Sequence, residues 1–528
     1  MCSPRSSSTL NVNVYPYSGP QSFPEFANPR YNPASRPVGV AFSGGGPRAM
    51  TCGMGQVRNL VGSSFWNQVG AISCVSGGSW FGSIFSFADG TRFPDSALLG
   101  PAIAPSDLYW GTSNDTNPAN VNYLPDNRLA YGLTIINNLY ILEVLGLLKL
   151  LGTPNEKLYS RALGWGLLDW FKLRGDWSTM PVRPDRPFFI ANGSLTTNLG
   201  PYQRLWQFEY TQQYVGTPQS IIPVIMALRH MPAAQQARLP ALTQSAAPVA
   251  GGGWVDVAGF DSTSPRIGGR QATVTPPSSD WTFRLSDVIG SSGAAPGSYL
   301  DVLDFPVLFP EFYTWPLGAG ATPAAVCSSI VDGGDLENTG IVALLRRKYP
   351  LILAFVNSEV VFGQTGTYPL GIDPCVSALF GKTTVPPLGQ SVQVFDSSLF
   401  APLMQALGNM NNLTGVPWTL SELPVLPNNP FGIPPYTANI LWVYNGRSKS
   451  WLDEITDPAI RRVVTRPPAT GVLPWLSTVF QNPSDIPDVP ELLMYTPWQV
   501  NLLANMWSWF LRDQVMQDAL GSLSLKAK

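Results

Sequence analysis

Histidine is almost absent from this sequence: His230 is the only one in 528 residues. A serine nucleophile commonly passes its proton to a histidine. Any serine nucleophile in this chain therefore depends either on His230 or on a base of another kind.

Charged residues are also scarce. They make up 12% of the chain, about half of the usual ~25%. The net charge is −2 and no basic run occurs, which argues against binding to nucleic acid. Hydrophobic residues make up 45% of the chain, too many for a disordered protein. The 17 tryptophans suit a core and also a lipid–water boundary.

Cysteine is infrequent, and its pattern excludes two kinds of site. The five cysteines are Cys2, Cys52, Cys74, Cys327 and Cys375. Because the number is odd and no CxxC occurs, neither a disulfide scaffold nor a zinc site is expected. The sequence predicts reduced, buried thiols, as in a cytosolic protein, and it predicts no metal and no cofactor.

Neither a signal peptide nor a clear membrane span is present. The N-terminal residues lack an apolar segment. Residues 133–152 are hydrophobic and long enough to cross a membrane, but they contain Asn137, Asn138, Glu143 and Lys149. This composition predicts a buried or interfacial helix. The expected location is cytoplasmic, with peripheral contact to membranes left open.

Apolar, β-prone runs bounded by turn residues alternate with helical patterns along the chain. The strand candidates are residues 37–42, 67–75, 188–195, 328–334 and 350–357. This alternation predicts an α/β fold with a mostly parallel or mixed central sheet flanked by helices. We expect residues 1–36 to be an N-terminal arm and residues 37–528 to be one catalytic domain. Insertions are expected at about 100–180, as a helical cap, and at about 231–320.

The first motif is the glycine-rich turn AFSGGGPRAM, residues 41–50. A strand ends, three glycines turn the chain, and a helix begins with Pro47 near its first position. The N–H groups of Gly44, Gly45 and Gly46 could hold a phosphate or an oxyanion. The Gly-Lys-Ser/Thr of a nucleotide-binding loop is missing.

The second motif is CVSGGS, residues 74–79, whose strand–turn–helix context is typical of a nucleophile elbow. Ser76 would be the nucleophile, and Gly77 and Gly78 are the small neighbours that a sharp turn needs. Cys74 stands where glycine is usual. The alternative is that Ser76 only caps the following helix.

The third motif is VDGGDLEN, residues 331–338, in which an apolar strand delivers Asp332 at its C-terminal end. A carboxylate within hydrogen-bond reach of a serine can act as its base. A dyad of Ser76 and Asp332 would need no histidine. Two alternatives stay open: Asp332 could be a surface turn residue, and His230 could be the base.

In this order, the motifs SGGGPRAM, CVSGGSW and VDGGDLEN resemble the catalytic domain of the cytosolic phospholipase A2 and fungal lysophospholipase (phospholipase B) family, with patatins as more distant relatives. The segment WQFEYTQQYVG, residues 206–216, is also similar to a segment of that family. The matching region runs from residue 38 to about residue 357.

The resemblance implies a role for each matching residue. Ser76 would be the nucleophile, Asp332 its base, Gly45 and Gly46 the oxyanion hole with Gly44 and Gly77 adjoining, and Arg48 the binder of phosphate or developing charge. It also implies a fold like that of cytosolic phospholipase A2 and patatin.

The implied activity is that of a serine acyl hydrolase with a phospholipid or lysophospholipid substrate and contact with a membrane surface. Only 36 residues precede the expected catalytic domain, so no calcium-dependent lipid-binding domain is expected there. The open alternatives are a transacylase with the same acyl-enzyme, a non-catalytic lipid-binding or scaffold protein, and a Ser-His-acid hydrolase that uses His230.

Overall fold

The structure is a computed structural model. It describes residues 8–135, 155–199, 202–218, 224–227, 250–278, 281–294, 310–317, 320–365, 369–383, 392–465 and 495–526. His230 and most of the apolar stretch 133–152 lie outside these ranges, so the predictions made for them stay predictions.

The secondary structure elements are numbered in chain order. The strands are β1 Leu10–Pro16, β2 Val38–Phe42, β3 Val69–Val75, β4 Phe188–Leu199, β5 Tyr202–Tyr210, β6 Tyr214–Thr217, β7 Val224–Ala227, β8 Gly253–Asp256, β9 Thr263–Gly268, β10 Gln271–Thr275, β11 Glu311–Thr314, β12 Val326–Asp332, β13 Leu351–Val356, β14 Trp418–Pro424 and β15 Thr437–Tyr444. The helices are α1 Gly46–Arg58, α2 Gly77–Phe87, α3 Asp95–Leu98, α4 Gly132–Ile135, α5 Asn155–Leu163, α6 Leu285–Ser292, α7 Ile341–Arg346, α8 Pro374–Leu379, α9 Phe400–Thr414, α10 Lys449–Glu454, α11 Pro458–Thr465, α12 Pro497–Phe510 and α13 Gln514–Leu525.

Within the described residues, fifteen strands form one mixed sheet. Its centre is parallel, with β15, β13, β2, β3 and β4 side by side. Antiparallel strands extend it: β14 beyond β15, and β5, β6, β8, β1, β10 and β9 beyond β4. The predicted α/β class, with a mixed central sheet flanked by helices, is confirmed.

Helices cover both faces of the central strands, which explains why these strands are continuous apolar runs. In β2, Val40 and Phe42 point into one core, whereas Ala41 between them belongs to the core on the opposite face. Trp507 and Phe510 of α12 lie in the first core and are buried.

The segment 8–36, expected to be an arm, contributes to the sheet and to the interior. β1 pairs with β8 and with β10, and its alternate residues Val12 and Val14 are buried. Glu25 is 2% exposed, and Arg347 Nε donates a hydrogen bond of 2.7 Å to its carboxylate.

The two expected insertions supply elements that lie beside the elbow at residue 76. In the first, α5 packs against α6, which belongs to the second. Helix α6 in turn contacts α2, β4 and β12, while β8, β9 and β10 join the sheet. Of these segments, residues 136–154, 231–249, 279–280, 295–309 and 318–319 lie outside the described residues.

The predicted buried thiols are found at three positions and not at a fourth. Cys52, Cys74 and Cys375 are buried and free. Burial raises the pKa of the Cys52 thiol to about 12. The prediction was wrong for Cys327, which is exposed and disulfide-bonded. Among the helices that can be described, none has both the length and the apolar character needed to cross a membrane.

Candidate active site

The chain turns sharply at Ser76, between β3 and α2. This residue has φ 50° and ψ −123°, a conformation that costs free energy in any residue with a Cβ. A Cβ on Gly77 would lie 2.1 Å from the carbonyl oxygen of Gly46, and one on Gly78 would lie 2.5 Å from that of Phe42. The turn can therefore exist only because both residues after the serine are glycines.

Cys74, which stands where the elbow usually has glycine, is accommodated by a glycine elsewhere. Its side chain is fully buried against α2, and a Cβ on Gly82 would lie 2.6 Å from its Sγ. The missing side chain at position 82 makes room for the sulfur, so the elbow keeps its sharp turn.

Two strands run toward each other along β4 and end at the same place. β3 is parallel to β4 and pairs Val75 with Asn192. β12 is antiparallel to β4 and pairs Asp332 with Gly193. Since Asn192 and Gly193 are consecutive, the end of β12 lies next to the end of β3, and Asp332 is brought to Ser76.

Ser76 and Asp332 form a direct hydrogen bond. Ser76 Oγ donates to Asp332 Oδ2 at 2.7 Å. The N–H of Gly334 donates to the other carboxylate oxygen, Oδ1, at 2.7 Å. Ser76 is 7% exposed and Asp332 is 4% exposed. The carboxylate is thus held in one orientation, with one oxygen directed at the serine hydroxyl.

The three loop glycines lie against the elbow, but they differ in what their N–H groups do. A Cβ on Gly44 would lie 3.0 Å from Ser76 Cβ. The N–H of Gly44 is already engaged, because it donates at 3.1 Å to both the backbone oxygen and Oδ1 of Asn338. The N–H groups of Gly45 and Gly46 donate to no described residue. Among the loop glycines, Gly45 and Gly46 therefore have N–H groups without a described partner, and the role of Gly44 as a donor to a ligand stays a prediction.

Arg48, in the first turn of α1, is buried with an incomplete set of partners. It is 1% exposed, and its Nε donates to the backbone oxygen of Asn357 at 2.9 Å. Its Nη1 is buried without a hydrogen bond to the described residues, and none of their carboxylates pairs with it. A Cβ on Gly45 would lie 3.0 Å from its Nη2. A buried guanidinium in this state favours an anion beside the glycine loop.

Polar residues that the sequence did not single out support the dyad. Asn192 Nδ2 donates to Ser73 Oγ and to the backbone oxygen of Cys74, each at 2.9 Å. Ser292, the last residue of α6, accepts a hydrogen bond from the N–H of Ser76 at 3.1 Å. The polar Asn192 at the end of the apolar run FFIAN was a signal that could have been read. Ser292 lies in a Gly/Ser/Ala-rich stretch that gives no such signal.

The charge of Asp332 also reaches Tyr159 on α5. Burial, and secondarily the negative charge of Asp332, raise the pKa of the Tyr159 phenol well above its ordinary value. Its hydroxyl therefore stays protonated and donates to the backbone oxygen of Gly293 at 2.7 Å. This bond ties α5 to the end of α6 beside the elbow.

A network of buried charges lies behind Asn192. Its Oδ1 accepts a hydrogen bond from Gln207 Nε2 at 3.2 Å, and Arg346 Nη2 donates to Gln207 Oε1 at 2.9 Å. Glu209 pairs with Arg346 Nη1 at 2.6 Å and with Arg347 Nη2 at 3.0 Å. Gln207 and Glu209 belong to the segment 206–216 noted in the sequence, so that segment contributes the interior support of the site.

The structure brings Ser76, Asp332, the three loop glycines, Gly77 and Arg48 together in one place. The prediction for His230 stays untested because that residue lies outside the described ranges. In the part of the chain that is described, no group of three or more His, Cys, Asp or Glu side chains is arranged to hold a metal ion.

Three solved structures of human GIVD cytosolic phospholipase A2 are similar to this structure. One gives a TM-score of 0.47 at 13% sequence identity, and the match covers 99% of this chain and 67% of that one. A complex of the human enzyme with methyl gamma-linolenyl fluorophosphonate and terbium chloride gives 0.44 at 12% identity, covering 99% and 67%. A complex with methyl gamma-linolenyl fluorophosphonate gives 0.44 at 13% identity, covering 98% and 66%.

The present chain thus spans about two thirds of the length of these structures. They come from the family to which the three sequence motifs are similar. No protein-family model matches the sequence, and no curated protein matches it.

Proposed function

We propose that this protein is a serine acyl hydrolase that cleaves acyl esters of glycerophospholipids or lysophospholipids through a Ser–Asp dyad. The observation that carries the proposal is the buried 2.7 Å hydrogen bond from Ser76 Oγ to Asp332 Oδ2, made at a strained elbow beside a glycine loop. A serine that only capped α2 would direct its hydroxyl to a backbone N–H of that helix, and Ser76 makes no such bond.

In the acylation step, Asp332 accepts the proton of Ser76 as Oγ attacks the acyl carbonyl carbon. The carbonyl oxygen becomes an oxyanion, which the free N–H groups of Gly45 and Gly46 can receive. Asp332 then returns the proton to the leaving alcohol oxygen. The lysophospholipid or glycerophospho product departs, and the acyl group stays on Ser76.

In the deacylation step, a water molecule takes the place of the departed alcohol. Asp332 accepts a proton from this water, whose oxygen attacks the acyl-serine carbonyl carbon. The collapse of the second oxyanion releases the fatty acid, and the proton on Asp332 returns to Ser76 Oγ. Every proton transfer runs through one carboxylate, which explains how the site works without a histidine.

Arg48 is the residue that fits a phosphate-bearing substrate. It is buried, no described carboxylate pairs with it, and its Nη1 has no described partner. A guanidinium can bind a phosphate with two parallel hydrogen bonds, or stabilise the negative charge that develops on the glycine loop. Either contact would offset the free-energy cost of a buried, unpaired cation.

A phospholipid substrate resides at a membrane surface, so we propose peripheral membrane contact. Two exposed tryptophans support it, since Trp165 is 46% exposed and Trp170 is 38% exposed. Both line an open pocket together with Arg92, Lys172 and Arg174 and with the carboxylates of Asp126 and Asp169, of which Asp169 pairs with Arg174. Tryptophan beside cationic side chains such as Arg92 and Lys172 is a combination that favours lipid interfaces. Flotation with liposomes tests this point, and protein that stays at the bottom of the gradient would refute it.

The proposed activity is tested by analysis of lipid products. Wild-type protein and the variants Ser76→Ala and Asp332→Asn are incubated with mixed phospholipid and lysophospholipid vesicles in the absence of calcium. We expect free fatty acid from the wild type and none from either folded variant. His230→Ala serves as the matched control, and it should release fatty acid at the wild-type rate.

Each alternative predicts a different pattern in this experiment. A transacylase would give new acyl esters when alcohol or amine acceptors are supplied, and little fatty acid. A non-catalytic lipid-binding protein would bind the vesicles and give no product at all. An inactive His230→Ala beside an active Asp332→Asn would replace the dyad by a histidine-based site.

A further inference from the structure

Ser292 makes a hydrogen bond that holds the backbone of Ser76 from a distant part of the chain. The N–H of Ser76 donates to Ser292 Oγ at 3.1 Å, between residues 216 positions apart. Ser292 is fully buried, and it ends helix α6. This contact is a feature of the folded chain that no local sequence pattern around Ser76 provides.

The hydroxyl of Ser292 is fully used, and its proton can be assigned. Ser292 Oγ donates to the backbone oxygen of Asn192 at 2.6 Å. A hydroxyl has a single proton and two acceptor positions. Ser79 Oγ, at 2.8 Å from Ser292 Oγ, must therefore be the donor of that contact. Ser292 Oγ accepts from Ser79 and from the N–H of Ser76, and it has no capacity left.

The neighbouring Ser291 shows that this arrangement is not general for serines in α6. Ser291 is also fully buried, but its Oγ donates to the backbone oxygen of Asp287, one turn back in the same helix, at 2.6 Å. A serine inside a helix commonly makes this local bond. Ser292 instead donates to β4 and accepts from the elbow, so it joins three separate elements.

The elbow needs an external restraint because Ser76 is strained. A residue with a Cβ at φ 50° persists in that conformation only when surrounding contacts hold it there. Since the N–H of Ser76 is engaged with Ser292, it is also unavailable to an oxyanion, and the donors proposed for that role are the N–H groups of Gly45 and Gly46.

We propose that Ser292 is a positioning residue for the acyl transfer. By accepting a hydrogen bond from the N–H of Ser76, it keeps the strained nucleophile aligned with Asp332. This inference rests on the proposed function. The hydroxyl of Ser292 bonds Ser76, Ser79 and Asn192 and not Asp332, so it acts through the backbone of Ser76. Asn192 holds Ser292 in place, because the backbone oxygen of Asn192 accepts the hydrogen bond of the Ser292 hydroxyl. The side chain of Asn192 in turn donates a hydrogen bond to the end of β3.

The test compares Ser292→Ala with the matched control Ser291→Ala, which removes a buried hydroxyl from the same helix without touching the elbow. Two quantities are measured: the rate constant for covalent labelling by a fluorophosphonate probe, and kcat and KM for a water-soluble acyl ester. For Ser292→Ala we expect labelling and kcat to fall about 10- to 100-fold, or about 1.4 to 2.7 kcal/mol at 1.36 kcal/mol per tenfold. KM should stay within about twofold, because the lost bond does not contact substrate.

The outcomes separate this inference from the proposed function. Ser291→Ala should stay within about threefold of wild type in all quantities, because its lost bond lies within α6. If Ser292→Ala does not fold, Ser292→Cys fills the site with a slightly larger thiol whose sulfur accepts hydrogen bonds only weakly, and the same fall in labelling and kcat is expected. If the probe labels the wild type and the Ser292 variant at equal rates, the inference is overturned and the proposed function is not affected. A wild type that the probe never labels overturns the proposed function and the inference with it.

Discussion

Replacement of Glu209 by glutamine removes one charge from a sealed ion network without changing the shape of the side chain. Glu209, Arg346 and Arg347 are all fully buried. The network also contains Glu25, paired with Arg347 at 2.7 Å, so two carboxylates balance two guanidinium groups. In Glu209→Gln, Arg347 keeps Glu25, but Arg346 loses the carboxylate with which it pairs.

The size of the effect follows from the burial of Arg346. Removing one partner of a buried ion pair costs about 3–5 kcal/mol, because the other charge stays buried and uncompensated. The whole stability of a domain is about 5–15 kcal/mol. With a urea m-value of about 3 kcal/mol per molar, the midpoint of urea unfolding should fall by about 1 to 1.7 M.

The assay is equilibrium urea unfolding followed by circular dichroism and tryptophan fluorescence. Glu422→Gln is the matched control, since Glu422 pairs with Lys526 at 3.2 Å and their side chains are 64% and 40% exposed. An exposed pair contributes about 0–1 kcal/mol, so this midpoint should fall by less than about 0.3 M. Equal shifts for the two variants would refute the reasoning from burial. The double variant Glu209→Gln with Arg346→Met should recover part of the loss, because no unpaired buried charge remains.

Three further outcomes are expected. Gly45→Ala should lower kcat about 10²- to 10³-fold in a folded protein, as for the loss of an oxyanion donor. Gly45 has φ +138°, and an added Cβ would lie 2.5 Å from the backbone oxygen of Asn357. Turnover at the wild-type rate would contradict this role for the loop. Gly55→Ala should destabilise the fold, because its Cβ would lie 2.3 Å from the backbone of α12. Gly521→Ala has open space around its Cβ and should stabilise the fold by about 0.5–1 kcal/mol. Equal midpoints of urea unfolding for the two variants would contradict the packing argument. Burial raises the pKa of the Cys52 thiol from 9.0 to about 12, so its contribution to stability is complete below about pH 9 and is lost as the pH rises toward 12. Iodoacetamide at pH 8 should therefore modify Cys52 only in urea-unfolded protein. Detection of the modified residue in native protein by mass spectrometry would contradict the burial.

The sequence predicted the two turns of the site because each combines a strand end with glycines. The runs ending at residues 42 and 75 are apolar and continuous, and the glycines after them leave few other backbone paths. The sequence alone therefore predicts that Ser76 and Gly45 lie at these two turns. The position of Asp332 could be predicted only as the end of a strand.

What the sequence could not reveal is the direction from which β12 arrives. The apolar run before Asp332 has the same appearance in a parallel strand and in an antiparallel one. Its antiparallel pairing with β4, one residue beyond the pairing of β3, is set by tertiary contacts. The contribution of Ser292 could not be predicted for a related reason. The Gly/Ser-rich sequence at the end of α6 does not indicate which strand this helix contacts.

The burial of Glu25 against Arg347 has a consequence for the synthesis of the chain. The two residues are 322 positions apart, and at about 5–20 residues per second a ribosome needs about 15 to 65 seconds to travel between them. Until Arg347 is made, the carboxylate of Glu25 lacks its ion-pair partner. Strand β1 lacks its pairing strands until β8 and β10 have been made. Closing such long loops is slow, as in other proteins dominated by distant contacts. The N-terminal segment is therefore made early and buried late, and refolding from denaturant should be limited by the same long-range closure.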